Sequence, residues 1–145
     1  MQGCRARGTF PSHVGRRLMQ AYLWIGLGGA LGSMARHWSN GAVTALAGAG
    51  FPWGTLAINV LGSLVIGFAA ATMDADGRFP SSVTAQQFLM VGLCGGFTTF
   101  SAFSLQTLAL MQGGQWLAAG ANAVLSVVLC LIAVWLGYAL GLALR

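Results

Sequence analysis

Four long apolar stretches, separated by short linkers rich in glycine, proline and polar residues, make up most of the chain. They cover about residues 19–38, 53–73, 88–111 and 116–144. A helix needs about 20 apolar residues to cross a hydrocarbon core of about 30 Å, and none of the stretches alternates as a membrane β-barrel requires. Because a helix satisfies its own backbone groups in lipid, the pattern predicts an all-α integral membrane protein with four transmembrane helices.

The first eighteen residues differ from the rest, because they carry four of the arginines and show no apolar period. We expect residues 1–18 to be a disordered basic tail and residues 19–145 to form a single four-helix transmembrane domain. A cleaved signal peptide is the less favoured alternative, since the apolar run is long and contains Arg36. A third alternative is that the natural start is Met19 and that the tail is an extension.

Composition narrows the function classes. The hydrophobic set makes up 57% of the chain and charged residues 6%, whereas soluble domains carry about 25% charged residues. There is no glutamate, and the two acids are Asp74 and Asp76 in the second linker, so a membrane-embedded general acid or base is missing. His13 and His37 lack neighbours at metal-ligand spacing, and the arginines form no nucleic-acid-binding face. The composition predicts a membrane protein that is not an enzyme and binds no nucleic acid.

Two stripes of polar residues recur at every fourth position, one in the second and one in the fourth stretch. Residues at this spacing share one face of a helix. A single residue of this kind is best explained as interhelical hydrogen bonding, worth about 0.6 kcal/mol on average, but two stripes in one small protein favour a polar pathway. The stripes are Thr55, Asn59 and Ser63, and Asn122, Ser126 and Cys130.

The third stretch holds a dense cluster of small and polar residues between Gly92 and Ser104. Two adjacent glycines followed by two threonines weaken a helix, so we expect the third helix to be broken at mid-membrane. A break frees backbone carbonyls and is tolerated only where protein or water covers it. Such carbonyls suit a hard cation such as sodium. The residues concerned are Gly95, Gly96, Thr98 and Thr99.

Beyond the expected break, Phe100 and Phe103 lie three residues apart and therefore share a helix face. Aromatic rings have a positive edge, so inward-facing edges can favour an anion; ordinary core packing is the alternative. Arg36 is the one charge well inside an apolar stretch. It either extends to the membrane interface or holds a positive potential near the entrance of an anion, and both interpretations remain open.

Three motifs carry a resemblance to a known family: G-x-x-G-S-M-A-R at 29–36, F-P-W-G-T-L-x-x-N-x-x-G-S at 51–63, and G-L-C-G-G-F-T-T-F-S-A-F-S at 92–104. Over about residues 20–145 the chain resembles the Fluc (CrcB-type) fluoride ion channels, small four-helix proteins that export fluoride from microbial cells. The resemblance implies an antiparallel, dual-topology homodimer, multi-pass in the inner (plasma) membrane. It also implies two fluoride pores and a structural sodium ion at the dimer centre.

The resemblance further implies roles for single residues. Main-chain oxygens of Gly95 and Thr98 match the sodium ligands. Two positions depart from the family pattern: Gln106 stands where a glutamate is frequent, and Cys130 where a pore-facing serine is frequent. Because a thiol is the weaker donor, coordination at Cys130 should be weaker or come from Ser126 instead. The fluoride pore residues implied are Asn59, Phe100, Phe103, Thr55, Arg36, Thr99 or Ser101, Ser126 and Cys130.

The strongest rival function is that of a small proton-coupled multidrug exporter, which can also be a four-helix antiparallel dimer. Such a carrier needs a carboxylate inside the membrane to exchange a proton for a cation. This chain has none in its apolar stretches, so the fluoride channel is the favoured prediction.

Overall fold

The computed structural model of the chain describes residues 12–73 and 82–144. The regular structure in these two ranges is helical throughout. A π-helical segment, Gln87–Cys94, lies inside the third span, between short helices. The α-helices are α1 (Ser12–Ala47), α2 (Trp53–Thr72), α3 (Val83–Gln86), α4 (Gly95–Phe97), α5 (Phe100–Gln112) and α6 (Trp116–Ala143).

Three of the four predicted apolar stretches agree closely with the helices in the described part of the chain. α2 and α6 each end one residue before the predicted limit, and the third stretch lies within Val83–Gln112. α1 is longer than predicted at both ends. It begins at Ser12, so residues 12–18 of the expected tail are helical, while residues 1–11 lie outside the described ranges. The second linker, with both aspartates, also falls outside them at residues 74–81.

The bundle consists of two pairs of parallel helices. α1 packs mainly against the π-helical segment and α4, and α2 packs mainly against α6. Residue numbers increase in the same direction along both helices of a pair. In the first pair, for example, Gly28 lies against Gly92 and Gly32 against Gly96. The two pairs run in opposite directions, because successive spans alternate in direction.

Close backbone approach between paired helices depends on glycines that stand four residues apart, such as Gly28 and Gly32 or Gly137 and Gly141. A Cβ on Gly32 would lie 2.8 Å from the amide nitrogen of Phe97, and one on Gly28 would lie 2.9 Å from that of Leu93. On the other pair, a Cβ on Gly137 would lie 3.0 Å from the amide nitrogen of Phe68. Small residues at such positions let helices in membranes pack backbone to backbone.

A glycine in the left-handed region ends the third span. Gly114 has φ +73°, and its amide donates to the Met111 carbonyl at 3.0 Å. The amide of the next residue, Gln115, donates to the Leu110 carbonyl at 2.9 Å. These two bonds form a Schellman motif, which covers the last carbonyls of a helix. The turn directs the chain straight into α6.

The bundle is a membrane protein by its surface and by the length of its spans. In the part of the chain that the structure describes, α2, the third span and α6 are long and apolar enough to cross a membrane. Large apolar side chains lie exposed on all sides, with Leu46 at 90% and Leu117 at 89% exposure. Such a surface is stable against lipid or another protein rather than water. α1 is less apolar than the other spans, so its crossing remains a prediction.

Exposed tryptophans and tyrosines mark both ends of the bundle. Such side chains favour the two interfaces between lipid and water. On α6, Trp116 and Tyr138 are 22 residues apart, which at 1.5 Å per residue is about 33 Å, close to the thickness of the hydrocarbon core. The exposed rings are Trp38, Trp53 and Trp116 at one end, and Tyr22, Trp24, Trp135 and Tyr138 at the other.

Candidate functional site

The third span is interrupted at two threonines. Thr98 (φ −80°, ψ 159°) and Thr99 (φ −156°, ψ 117°) have extended backbones, which suit β-branched residues. The Thr98 hydroxyl donates to the Cys94 carbonyl at 2.9 Å, and the Thr99 hydroxyl accepts from the Ala102 amide at 3.2 Å. The first bond covers a carbonyl of the preceding helix, and the second caps the N-terminus of α5. The two side chains thus stabilise the interruption that their backbones make.

Asn59 binds both backbone groups of Thr99. Its amide nitrogen donates to the Thr99 carbonyl at 3.1 Å, and its Oδ1 accepts from the Thr99 amide at 2.8 Å. The amide of Thr99 would otherwise continue the helix onto the Gly95 carbonyl. Asn59 therefore replaces a helical hydrogen bond and links α2 to the interruption. One of its two N–H hydrogens is used in this way, and the second remains as a donor.

Side chains of α1 cover two more carbonyls near the interruption. Nη1 of the half-buried Arg36 donates to the Thr98 carbonyl at 3.3 Å, and the Ser33 hydroxyl donates to the Gly96 carbonyl at 3.5 Å. Helix ends leave carbonyls without partners, and a guanidinium strengthens such a bond through its charge. Arg36 thus carries its positive charge to the interruption, while its effect on an anion stays a prediction.

A cavity of about 400 Å³ opens beside the interruption. It brings together residues of α2, the third span and α6. Eight predicted site residues line it: Asn59, Gly95, Thr98, Thr99, Phe100, Phe103, Ser126 and Cys130. Six further residues complete the lining: Gly62, Ser63, Ile66, Cys94, Val127 and Leu131.

The two phenylalanines form one aromatic wall of the cavity. The ring centroids of Phe100 and Phe103 are 5.2 Å apart, and the ring planes are inclined at 49°. Phe100 is 77% exposed, whereas Phe103 is half-buried beneath it. The pair extends from the cavity to the bundle surface, so ring edges are available along this path.

Three predicted pore residues lie outside the cavity wall. Thr55 is buried at 5% exposure near the start of α2. Ser101 is exposed and shares a hydrogen bond of 3.2 Å with the Thr99 hydroxyl. Arg36 donates to the Thr98 carbonyl and does not itself line the cavity. Of the residues implied as pore-lining, these three therefore do not face the space directly.

Gln106 does not line the cavity at the helix interruption. It borders a second cavity, of about 450 Å³, whose polar members include Asn40, Thr44 and Gln115. Its Oε1 is buried and has no hydrogen-bond partner in the described part of the chain. The residue at this position is thus separated from the cavity at the helix interruption.

The polar stripe on α6 divides into two roles. Asn122, 1% exposed, donates to the Thr107 hydroxyl at 2.8 Å, and Thr107 donates to the Phe103 carbonyl at 2.8 Å. The Ser126 hydroxyl donates to Asn122 Oδ1 at 3.5 Å and also lines the cavity. Asn122 therefore serves interhelical bonding, whereas Ser126 and Cys130 border the cavity. Sequence reasoning missed Thr107, whose only signal is its position one turn after Phe103.

Replacing Thr107 with valine should destabilise the bundle. Valine keeps the shape but leaves the buried Asn122 amide without an acceptor, so we expect the free energy of unfolding to fall by about 1–3 kcal/mol. Thermal unfolding in detergent measures this. Ser104→Ala is the matched control, because its hydroxyl donates to the Phe100 carbonyl at an exposed position. Equal melting temperatures for the two variants would contradict the structural role of the network.

Comparison with known proteins gives consistent matches along the chain. The family described as CrcB-like protein, Camphor Resistance (CrcB), matches residues 23–138. A protein of Methylocella silvestris named fluoride-specific ion channel FluC is 55% identical over 124 residues, which cover 86% of this chain and 95% of that protein. A protein of Rhodospirillum rubrum with the same name is 57% identical over 117 residues, 81% of this chain and 91% of its own.

Proposed function

The chain belongs to the CrcB-like family, and from that premise we propose that it is a fluoride-selective ion channel that exports fluoride by passive permeation. The observation that carries the proposal is the cavity at the helix interruption, where donors and aromatic edges meet. The names of the similar proteins from Methylocella silvestris and Rhodospirillum rubrum support the choice of ion.

The cavity offers substitutes for the water shell of a small anion. Fluoride is strongly hydrated, so a path through the membrane must supply hydrogen-bond donors in place of water. The second N–H of Asn59, the Ser126 hydroxyl and the ring edges of Phe100 and Phe103 border one space. Cys130 adds a weaker donor. A larger halide gains less from short hydrogen bonds, which gives a physical basis for selectivity.

Charge at the interruption favours an anion. Arg36 places its guanidinium against the Thr98 carbonyl, and none of the described residues that line the cavity carries a carboxylate. In a medium of low dielectric a fixed positive charge acts over several ångströms. Arg36 therefore raises the affinity of the neighbouring space for an anion without lining it.

We place a sodium ion at the main-chain oxygens of Gly95 and Thr98 in an antiparallel, dual-topology homodimer with two pores. Gly95 is exposed on this chain and a Cβ there would meet only the Met90 carbonyl, at 3.9 Å. A hard cation binds several oxygen ligands at once, so two carbonyls from one chain are too few. A second copy related by a two-fold axis doubles the set, and its presence also covers the exposed apolar faces.

The sodium ion, when bound, supplies fixed positive charge at the centre of the assembly. The chain itself keeps these carbonyls out of the helical hydrogen-bond pattern. Asn59 accepts the bond from the Thr99 amide, and Arg36 donates to the Thr98 carbonyl. The assembly is expected in the inner (plasma) membrane.

The proposed function is tested by ion efflux from liposomes that contain the purified chain. We expect rapid fluoride efflux and no chloride efflux above that of protein-free liposomes. Equal rates for the two anions, or no fluoride efflux from liposomes with folded protein, would overturn the proposal.

The aromatic wall has a test of its own. Phe100→Ile removes the ring edge but keeps an apolar side chain, so we expect fluoride efflux to fall at least about tenfold, a loss of about 1.4 kcal/mol in the barrier. Leu105→Ile is the matched control, since Leu105 lies exposed on the same helix and outside the cavity. Unchanged efflux in Phe100→Ile would remove the ring from the pathway.

A further inference from the structure

The N-terminal part of α1 extends beyond the third span, its partner in the bundle, which is long and apolar enough to cross a membrane. Trp24 packs against Phe88, with ring centroids 5.9 Å apart. The same register along the two parallel helices places Val83, where the third span begins, level with Met19. Because α1 begins at Ser12, about two turns of it lie past the start of its partner.

Arg16 and Arg17 lie on this extension, and both are exposed. They precede Tyr22, one of the exposed rings that mark the interface between lipid and water, by six and five residues, which is about 7–9 Å along the helix axis. The headgroup layer of a bilayer is about 5–8 Å thick on each side, and an arginine side chain is long enough to bend along its helix. The two guanidinium groups therefore reach the level of the lipid phosphates.

The two arginines share a helix face with a row of exposed apolar residues. Successive residues of an α-helix are rotated by about 100°, which brings the two arginines and three apolar residues of the next turns into an arc of about 100°. Gly29 and Gly32, which pack against the third span, lie outside this arc. We call the row the outer face of α1, and its members are Arg16, Arg17, Trp24, Leu27 and Leu31, all of them exposed.

We propose that the outer face of α1 binds an anionic phospholipid, with the headgroup against Arg16 and Arg17 and one acyl chain along the apolar members. From Tyr22 to Leu31 the helix rises about 13 Å, which is close to half of a hydrocarbon core of about 30 Å and thus to the depth of one leaflet. Guanidinium groups bind phosphate through paired, charge-assisted hydrogen bonds. The face therefore offers contacts to both parts of one lipid molecule.

Charge favours an anionic lipid over a zwitterionic one. The two termini and the second linker carry six arginines and, as their acids, Asp74 and Asp76. Even if each aspartate pairs with one arginine, four positive charges remain for the lipid. A basic residue beside a membrane span strengthens the attachment of anionic lipid about fivefold. The arginines concerned are Arg5, Arg7, Arg16, Arg17, Arg78 and Arg145.

The site belongs to a part of the chain that the family match does not include, because that match begins at residue 23. Lipid binding there goes beyond the proposed function and does not depend on which ion the bundle carries. Its test therefore reads out bound lipid and not transport.

Retention of lipid by the full-length chain tests the proposal. The purified chain is placed in nanodiscs of phosphatidylcholine with about one-fifth phosphatidylglycerol of the same acyl chains, and native mass spectrometry counts the lipids that stay bound after release. We expect the ratio of phosphatidylglycerol to phosphatidylcholine on the protein to exceed that of the nanodisc about tenfold or more. The excess should shrink as the ammonium acetate concentration rises, because salt screens the arginines. Equal ratios on the protein and in the nanodisc would overturn the proposal.

Paired substitutions locate the site. Arg16→Gln with Arg17→Gln should return the ratio to that of the nanodisc, whereas Arg16→Lys with Arg17→Lys should keep most of the excess, because the positive charges remain. Arg5→Gln with Arg7→Gln is the matched control, since it removes the same charge from residues before α1, and it should also keep most of the excess. An undiminished excess in the first pair, or an equal loss in both glutamine pairs, would refute a site on the outer face of α1.

Discussion

Replacing Asn59 with aspartate should abolish fluoride efflux, the largest effect that we expect from one substitution at the cavity. The new carboxylate would keep the bond from the Thr99 amide but would turn a second oxygen toward the Thr99 carbonyl, where Asn59 donates at 3.1 Å. It would also place negative charge on the wall of the anion path. A charge at the centre of a membrane costs about 3 kcal/mol, which corresponds to about a hundredfold loss in rate.

Two controls separate charge from structure in this experiment. Asn59→Ala removes both hydrogen bonds to Thr99 without adding charge, so its melting temperature should fall while some efflux remains. Ser63→Ala alters another residue of the cavity wall and should keep both folding and efflux. Efflux at the original rate in a folded Asn59→Asp protein would exclude Asn59 from the path.

The positions of α2, the third span and α6 could be predicted because hydrophobic length determines them in a membrane, whereas α1 extends beyond its apolar stretch at both ends. The fourth stretch, predicted at residues 116–144, is α6 at Trp116–Ala143. The backbone is extended at Thr98 and Thr99, the threonines that the composition of the third stretch singled out, while a helix break at mid-membrane stays a prediction. In each case the information is local, carried by apolar run length or by residues that disfavour a helix.

Features that depend on how helices cross could not be read from the sequence. The bond from Arg36 to the Thr98 carbonyl joins residues 62 positions apart, and it exists because Gly32 and Gly96 bring α1 and α4 close together. The contact of Asn122 with Thr107 likewise depends on the packing of α5 on α6. The π-helical segment has no local signature either, since its hydrogen bonds need one extra residue per turn and not a particular residue type.

Adjacent glycines at the interruption provide a sharp test of the assembly. A Cβ on Gly96 would lie 2.6 Å from the Gly29 carbonyl oxygen and 2.9 Å from the Gly29 Cα, so this glycine is required inside one chain. A Cβ on Gly95 would meet nothing closer than 3.9 Å, and the residue is exposed. Within a single chain, valine is therefore excluded at Gly96 and accommodated at Gly95.

We expect Gly95→Val to fold as a single chain but to lose both dimerisation and fluoride efflux. In the proposed dimer the Gly95 carbonyl faces the two-fold axis, so a branched side chain there meets the second copy and displaces the sodium ion. Gly96→Val should instead fail to fold, because the backbone of α1 cannot retreat from a close-packed contact without losing it. Crosslinking in liposomes and size-exclusion chromatography measure assembly, and helical circular dichroism measures folding. A Gly95→Val protein that remains a dimer with the original efflux would mean that Gly95 faces lipid, and the assembly would then have to be built on another face of the bundle.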